Sequence, residues 1–330
     1  MRRNTIHPTF EARARTLHTI AIGALAASTS LFVACRPEIG NAPSLVQSPR
    51  LLTLASTPAE AAPGAMVQIE ALAVDPSGTL ATPIGWSICK TPKPPAETNS
   101  VSRTCVDQPD DAAPAAGPTT VTIPADACAL FGPIPPPMRA GQPAVRPRDP
   151  DATGGYFLPV RATARDVADA FGPPMAFALV RISCGLSNAP AEDTAAYRQR
   201  YKANQAPGLA GVDVLDSADQ SIGDSVTSET KIRLRATWTE GDVETFPAFN
   251  IADHVLEDLR ESIGISWFAT AGEFLHDRTG RDANAVETTS DNDWTAPKVD
   301  RPTVVHFWVV IRDIRGGTGY KAFDLTVAPR

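Results

Sequence analysis

The stretch V-V-H-F-W-V-V-I-R-D-I at residues 304–314 decides the fold, because it is rich in β-branched and aromatic residues and leads into a Gly-bearing turn. K-A-F-D-L-T-V-A at 321–328 follows that turn, so the pair predicts a β-hairpin. The same arrangement occurs earlier in the chain, where Y-F-L-P-V-R-A-T-A-R-D-V at 156–167 precedes F-A-L-V-R-I-S-C at 177–184. The chain therefore contains two copies of one hairpin.

The repeat extends upstream of both hairpins. M-V-Q-I-E-A-L-A-V-D at 66–75 and K-I-R-L-R-A-T-W at 231–238 alternate with period 2, which predicts strands with one buried face, and Leu72 is the exception to the alternation. Each is followed by a strand that carries a Trp, I-G-W-S-I-C at 84–89 and G-I-S-W-F-A-T-A-G at 264–272. The chain is therefore predicted to hold two copies of one β module.

Short alternating strands with a Trp on the third strand are typical of a β-sandwich, in which the ring fills the space between the sheets. Trp86 and Trp267 are the predicted core residues, whereas Trp294 is expected in a loop and exposed. Arg165-Asp166 and Arg312-Asp313 hold equivalent places in the two copies. The predicted fold class is all-β, with two tandem Ig-like β-sandwich modules.

Composition and spacing also predict the domain boundaries and two short helices. The helices are expected at 192–204, where good helix formers lack sheet alternation, and around 251–259. A Pro-rich insert with Pro135-Pro136-Pro137 is either a partner-docking polyproline II segment or a solvated loop. The predicted parts are a signal peptide (1–34), a tether (35–48), a first sandwich (49–190) with the insert (91–155), a helical linker (191–210) and a second Ig-like or PKD-like sandwich (211–330).

The N-terminus has the layout of a secretory signal, with four arginines ahead of the small and apolar run from Leu17 to Ala34. Phe32-Val33-Ala34-Cys35 resembles a bacterial lipobox, although Phe32 replaces the usual Leu. By that resemblance Cys35 becomes a lipidated N-terminus, and two or three acyl chains make attachment effectively permanent. The alternative is an ordinary signal peptide with an unmodified cysteine. Arg36 is not the Asp that retains some lipoproteins in the inner membrane, which favours the outer membrane.

The charge balance argues against nucleic acid and anionic lipid as partners. The chain carries a formal net charge of −7, and removal of residues 1–34 makes it −10. A surface this acidic repels nucleic acid, so no nucleic-acid partner is expected, and the membrane is reached through the anchor alone. A surface protein or a glycan remains as the expected kind of partner.

Four cysteines besides Cys35 occur, at 89, 105, 128 and 184, and an even set outside the cytoplasm predicts disulfides. Of three possible pairings, Cys89 with Cys105 and Cys128 with Cys184 is preferred. The rival is a metal site, but no C-x-x-C spacing occurs and no His lies between Cys35 and His254.

The frames G-I-S-W-F-A-T-A-G, D-R-T-G-R, D-W-T-A-P and W-V-V-I-R-D-I-R-G-G resemble the second module of uncharacterised, myxobacterial-type bacterial surface lipoproteins. The resemblance spans nearly the whole chain. It implies a cell-surface lipoprotein with Ig-like or PKD-like modules, and it implies neither a reaction nor functional residues.

Few residues are suited to catalysis. The chain after residue 34 has three histidines and none of the common hydrolase, zinc-protease or P-loop motifs, so a structural, adhesive or binding protein without cofactor or catalysis is predicted. The alternative is a carbohydrate-active or other hydrolytic enzyme that uses the acidic loop of the second module. That loop also offers four weak calcium ligands, Asp277, Asp282, Asp291 and Asp293.

Overall fold

The computed structural model describes residues 43–92, 101–132, 140–141, 155–168, 172–186 and 189–330. The described residues form two β-sandwiches, which confirms the predicted all-β, Ig-like architecture. Residues 43–330 make up one compact unit.

In the first module, two four-stranded sheets face each other. One has the order β1-β3-β4 with β6 also paired to β3, and the other has the order β2-β8-β7-β5. The strands are β1 (Arg50–Thr57), β2 (Glu60–Ala61), β3 (Met66–Asp75), β4 (Gly78–Thr79), β5 (Ile84–Ile88), β6 (Thr119–Thr122), β7 (Gly155–Ala164) and β8 (Met175–Ser183).

The second module repeats this plan with a five-stranded sheet, β10-β19-β18-β14-β16, a four-stranded sheet, β15-β17-β11-β9, and a separate hairpin, β12-β13. The strands are β9 (Gly211–Leu215), β10 (Ser225–Thr227), β11 (Lys231–Thr237), β12 (Thr245–Asn250), β13 (Val255–Arg260), β14 (Ile263–Ala269), β15 (Glu273–Phe274), β16 (Arg278–Arg281), β17 (Thr289–Thr295), β18 (Thr303–Asp313) and β19 (Thr318–Ala328).

The strand registers match between the modules. Trp86 lies opposite Ala162 of β7, and Trp267 lies opposite Val309 of β18. Both rings are buried in their cores, at 5% and 0% exposure, as predicted. Trp294 was expected to be exposed, and that expectation is wrong: it lies on β17 with 0% exposure, and its Nε1 donates to the carbonyl of Ala271.

The residues that the structure describes contain little helix. They include the α-helices α1 (Ala127–Phe131) and α2 (Ala191–Arg200) and short 3-10 helices at Arg103–Cys105 and Glu240–Asp242. Helix α2 is the predicted linker helix, and acids in its first turn and arginines in its last turn complement its dipole. Within the described part of the chain, no helix is long and apolar enough to cross a membrane.

The helix predicted around 251–259 is absent, because the chain forms a turn and then β13 there. The Asn250 side-chain oxygen accepts hydrogen bonds from the N–H groups of Ala252 and Asp253, which is an Asx turn that competes with a helix. His254 has a φ of 56°, a left-handed conformation that ends the turn and starts the returning strand.

An apolar cluster joins the two modules. Leu72 and Val74 on the outer face of β3 pack with Trp308 and Val310 on the outer face of β18. The Nε1 of Trp308 donates to Thr79 Oγ1 across this contact, at 2.8 Å. Leu72 breaks the alternation of its strand because both faces of that strand are covered.

Residues 43–48, predicted as part of a free tether, are bound to the second module. Leu45 forms a parallel bridge to Ala269, and the N–H of Val46 donates to the Ala269 carbonyl at 2.8 Å. The hydroxyl of Ser44 donates to Asp277 Oδ1 at 2.6 Å. The chain thus contacts the second module before it enters the first, and Val46 is fully buried in the apolar cluster between the modules.

Two disulfides and a contact with a strand edge hold the described part of the insert in the first module. Disulfides join Cys89 to Cys105 and Cys128 to Cys184, the pairing preferred from the sequence. The main chain of Ala115 exchanges two hydrogen bonds with Ile84, so the insert covers the free edge of β5. The three consecutive prolines lie outside the described residues.

Candidate functional site

The boundary between the modules contains a buried polar network as well as the apolar cluster. On the first-module side, the Glu60 carboxylate, with 0% side-chain exposure, accepts hydrogen bonds from Arg181 Nε at 3.2 Å, Ser183 Oγ at 2.7 Å and Tyr201 OH at 2.5 Å. The N–H of Asn204 adds a fourth, at 3.0 Å. Burial alone would raise the pKa of Glu60, but these partners outweigh burial and lower it.

On the second-module side, Arg315 is the centre of the network. Its Nε donates to Glu261 Oε1 and its Nη2 to Glu244 Oε2, both at 2.7 Å, and its Nη1 donates to the Lys202 carbonyl at 3.2 Å. The guanidinium also lies over the Phe246 ring, 4.5 Å from its centroid. Arg315 therefore joins the turn after β18 to the β12-β13 hairpin and to the linker.

Asn204 links the two halves of this network. Its Nδ2 donates to the buried Asp313 carboxylate at 3.1 Å, which also accepts from the N–H of Gly317 at 2.9 Å. The linker after α2 thus lies between two buried carboxylates, Glu60 of the first module and Asp313 of the second. Such a network stabilises one arrangement only while every member is paired.

Glu261 is a carboxyl group of this network whose pKa is raised to near neutral. Burial raises its pKa, the nearby Asp313 carboxylate raises it further, and Arg315 only partly opposes them, which leaves the pKa at about 7. Because this folded-state value exceeds the ordinary value of 4.5, the folded protein binds the proton more tightly than the unfolded chain does. The stability that Glu261 contributes is complete below about pH 4.5 and is lost as the pH rises through about 7.

Glu261→Gln is therefore expected to gain stability relative to the wild type as the pH rises from about 4.5 to 7.5, by up to about 3 kcal/mol. Urea unfolding across that range measures the effect. Glu257→Gln, at an exposed position on β13, makes the same change in charge and is expected to follow the wild-type curve. Parallel curves for Glu261→Gln and the wild type would contradict the assignment.

Two grooves adjoin the network. The edge groove, of about 400 Å³, lies between β1 and β8 and is lined by Leu51, Leu54, Trp86, Phe177, Leu179 and Ile314, among others. The arginine groove, of about 300 Å³, lies over β14 and β16, with Gly264, Ser266 and Thr279 among its lining residues and Arg278 and Arg312 at its sides. Arg312, Asp313 and Ile314 line both grooves, so the two grooves adjoin at these residues.

The four calcium candidates are not gathered into one site. Asp291 receives two hydrogen bonds from Arg235, at 2.8 and 2.7 Å, and Asp293 lies 2.8 Å from the Lys231 ammonium. Asp277 accepts from Ser44, and Asp282 accepts from the main chain of its own turn. The described residues contain no group of three or more His, Cys, Asp or Glu side chains placed to hold a metal ion.

The same contacts bear on the hydrolase alternative. Asp291 and Asp293 are paired with cations of the neighbouring strand β11, and neither the edge groove nor the arginine groove is lined by any of the four aspartates. His306 lies on β18, where its Nδ1 is 2.8 Å from Asp324 Oδ1.

Cys35 lies outside the described residues. Glu60, Glu261 and Arg315 have no local signal in the sequence, because each pairs with residues that are distant along the chain.

Fold and site together define a class: a tandem Ig-like β-sandwich protein whose modules pack side against side over an apolar cluster and a buried ionic network. No protein-family model matches the chain. No curated protein matches it significantly either.

Solved structures of several proteins are similar to the chain, with low sequence identity and low TM-scores. The chicken CNTN1 FN1-FN3 domains show 13% identity and a TM-score of 0.21, covering 86% of this chain and 69% of that one. The titin domains z1z2 in complex with telethonin show 10% identity and a TM-score of 0.18, and the match covers 86% of this chain and 98% of that one. The protocadherin GammaB4 extracellular domain shows 10% identity and a TM-score of 0.19, and the match covers 85% of this chain and 32% of that one. Likeness at this level carries no argument about what the chain binds.

Proposed function

We propose that this protein is a lipid-anchored component of the bacterial cell envelope, held at the outer membrane through Cys35, that acts by contact as a structural, adhesive or binding module. The observation that carries the proposal is the joining of the two modules by the apolar cluster and the buried network. Two modules fixed in one arrangement present a constant surface to a partner, a surface protein or a glycan.

The docking of residues 43–48 on the second module supports a position close to the bilayer. Only seven residues lie between Cys35 and the start of the compact unit at Pro43. The eight Cα-to-Cα steps from Cys35 to Pro43 span at most roughly 28 Å when fully extended. An acylated Cys35 would therefore hold the second module within about that distance of the lipid surface.

Cys35→Ala is expected to abolish acylation and to release the protein from the membrane fraction, because the thiol that would carry the lipid is gone. The measurement is metabolic labelling with an alkyne fatty acid in the producing bacterium, followed by fractionation. The double variant Cys128→Ala/Cys184→Ala also removes cysteines and is expected to keep the label. Labelling of Cys35→Ala at the wild-type level would overturn the anchor.

The contact role is tested separately, by cross-linking in the intact envelope and identification of what is captured. A protein or glycan captured by the wild type, and lost when Trp308→Ala loosens the modules, is the expected result. Turnover of an envelope polymer by the purified protein would overturn the proposal that it acts by contact without catalysis.

A further inference from the structure

The edge groove contains a strand edge with free main-chain groups. The N–H of Ala164 on β7 donates to the carbonyl of Pro174 at 2.9 Å. Because alternate residues of a strand direct their main-chain groups to opposite sides, Met175, Phe177 and Leu179 direct theirs away from β7. The next strand, β2, pairs with β8 only at Arg181 and Ile182.

Within the described residues, no strand pairs with β8 from Met175 to Leu179 on that outer side. This free edge is five residues long, roughly 17 Å. It is also apolar, since Met175 is 44% and Leu179 47% exposed. Native proteins usually shield such an edge, and an edge left open can pair with another chain.

The arginine groove carries uncompensated positive charge. Arg312 is half-buried and donates to Thr53 Oγ1 at 2.9 Å and to the Leu52 carbonyl at 3.4 Å. In the described part of the chain neither Arg312 nor Arg278 forms an ion pair, and the Asp313 carboxylate is turned to Asn204 and Gly317. Burial, and secondarily Arg278, lower the pKa of Arg312. A half-buried guanidinium such as that of Arg312 is usually paired with an anion.

The two arginines can act on one ligand. Arg278 lies opposite Ser266 of β14, and Arg312 lies opposite Gly264 of the same strand. Their side chains therefore flank a floor of small residues, from strands about 10 Å apart. In a protein with a net charge of −7, this is a local exception to the overall charge.

We propose that the edge groove and the adjoining arginine groove bind one extended peptide segment of a partner protein, which pairs with the outer edge of β8 and places a carboxylate between Arg312 and Arg278. The inference rests on the proposed binding function and identifies its ligand class. A free strand edge supplies main-chain hydrogen bonds that match a peptide and not a glycan, and apolar side chains of the peptide cover Leu179 and Phe177. Arginine receives a carboxylate with two parallel hydrogen bonds.

The experiment is fluorescence anisotropy with the full-length protein in detergent and a labelled, N-blocked and C-amidated pentapeptide, Glu-Val-Thr-Val-Glu. A carboxylate at each end makes the probe independent of strand direction. The Gln-Val-Thr-Val-Gln peptide is expected to bind about tenfold more weakly, because it lacks charge-assisted hydrogen bonds. Arg278→Gln changes an exposed residue and is expected to weaken the Glu peptide about tenfold while leaving the Gln peptide unchanged.

Leu179→Pro tests the strand edge, since proline removes an N–H that does not bond to β7 and is tolerated on edges. It is expected to abolish binding of both peptides, whereas Leu179→Thr retains the N–H and the binding. Equal binding by Leu179→Pro and Leu179→Thr, or no binding of the Glu peptide to the wild type, would overturn the proposal. So would arginine-dependent binding of oligogalacturonate alone, which would assign the groove to a glycan.

The peptide-binding test and the acylation test of Cys35 can fail independently of each other. Peptide binding by a protein that is not acylated would leave the groove assignment intact and remove the tether. Acylation without peptide binding would do the reverse.

Discussion

Replacing Arg315 by methionine is expected to lower the free energy of unfolding by about 3–5 kcal/mol at about pH 8. The guanidinium is 2% exposed and pairs with Glu261, itself 0% exposed, and with Glu244. Methionine has a comparable length and can cover Phe246, so the main loss is the cation and not the volume. Two carboxylates, one of them fully buried, would then lack a positive partner, and removal of one member of a buried pair costs far more than the net worth of the pair.

The pH dependence makes this prediction specific. As the pH falls to about 5, Glu261 takes up its proton, because burial and Asp313 already raise its pKa to about 7. The destabilisation of Arg315→Met should therefore shrink at about pH 5 relative to about pH 8. Urea unfolding at the two pH values measures it. A loss that is the same at both would mean that packing, and not charge, accounts for the effect.

Arg233→Met is the matched control. Arg233 lies on β11 with 35% side-chain exposure and contacts Asp219, Asp291 and Asp293 at the surface. Exposed ion pairs contribute little, so this variant is expected to change stability by less than about 1 kcal/mol at either pH. The comparison separates removal of an arginine in general from removal of the arginine that joins the β12-β13 hairpin to the linker.

The sequence predicted the features of the fold that rest on local periodicity. Strands such as 231–237 alternate with one buried face, and a hairpin needs only two such runs and a turn. The preferred disulfides are also present, Cys89 with Cys105 at a sequence separation of 16 and Cys128 with Cys184 at a separation of 56. The strands and hairpins depend on residues that are close in sequence.

The error at Trp294 occurred because polar side chains replace apolar ones inside its strand. Ser290, Asn292 and Trp294 share the inner face of β17, yet only the last is apolar. Asn292 donates to the His276 carbonyl at 2.6 Å, and Ser290 donates to Thr279 at 2.7 Å, so both are buried with partners. The sequence S-D-N-D-W therefore resembled a loop, and Trp294 was assigned to solvent.

The contact between the modules was visible in the sequence only as an irregularity. Leu72 interrupts the alternation of one strand, and 304–314 is apolar on both faces where an exposed sheet would alternate. Such a pattern indicates that a second layer covers the strand but does not identify the layer. The buried network is less visible still, because Glu60 and Arg181 are far apart in the chain and pair only in the folded protein.

Trp308→Ala is expected to lower the free energy of unfolding by about 3–5 kcal/mol and to uncouple the two modules. The ring is 1% exposed and is the largest side chain of the apolar cluster, where it packs with Leu72, Val74 and Val310. Truncation to Ala leaves a cavity on the outer faces of both sheets, and neither module can fill it without moving against the other. The buried network and residues 43–48 then remain to hold the modules together.

Uncoupling has a readout that a general loss of stability lacks. In the wild type, one cooperative urea transition is expected for residues 43–330, because they form one compact unit. In Trp308→Ala the transition should become broader or split, with a smaller apparent m-value, as one module unfolds before the other. Thr79→Val is the control: it removes the partner of the indole N–H but keeps the ring, and it should cost about 1–2 kcal/mol with a single transition. A single sharp transition in both variants would mean that the buried network alone couples the modules.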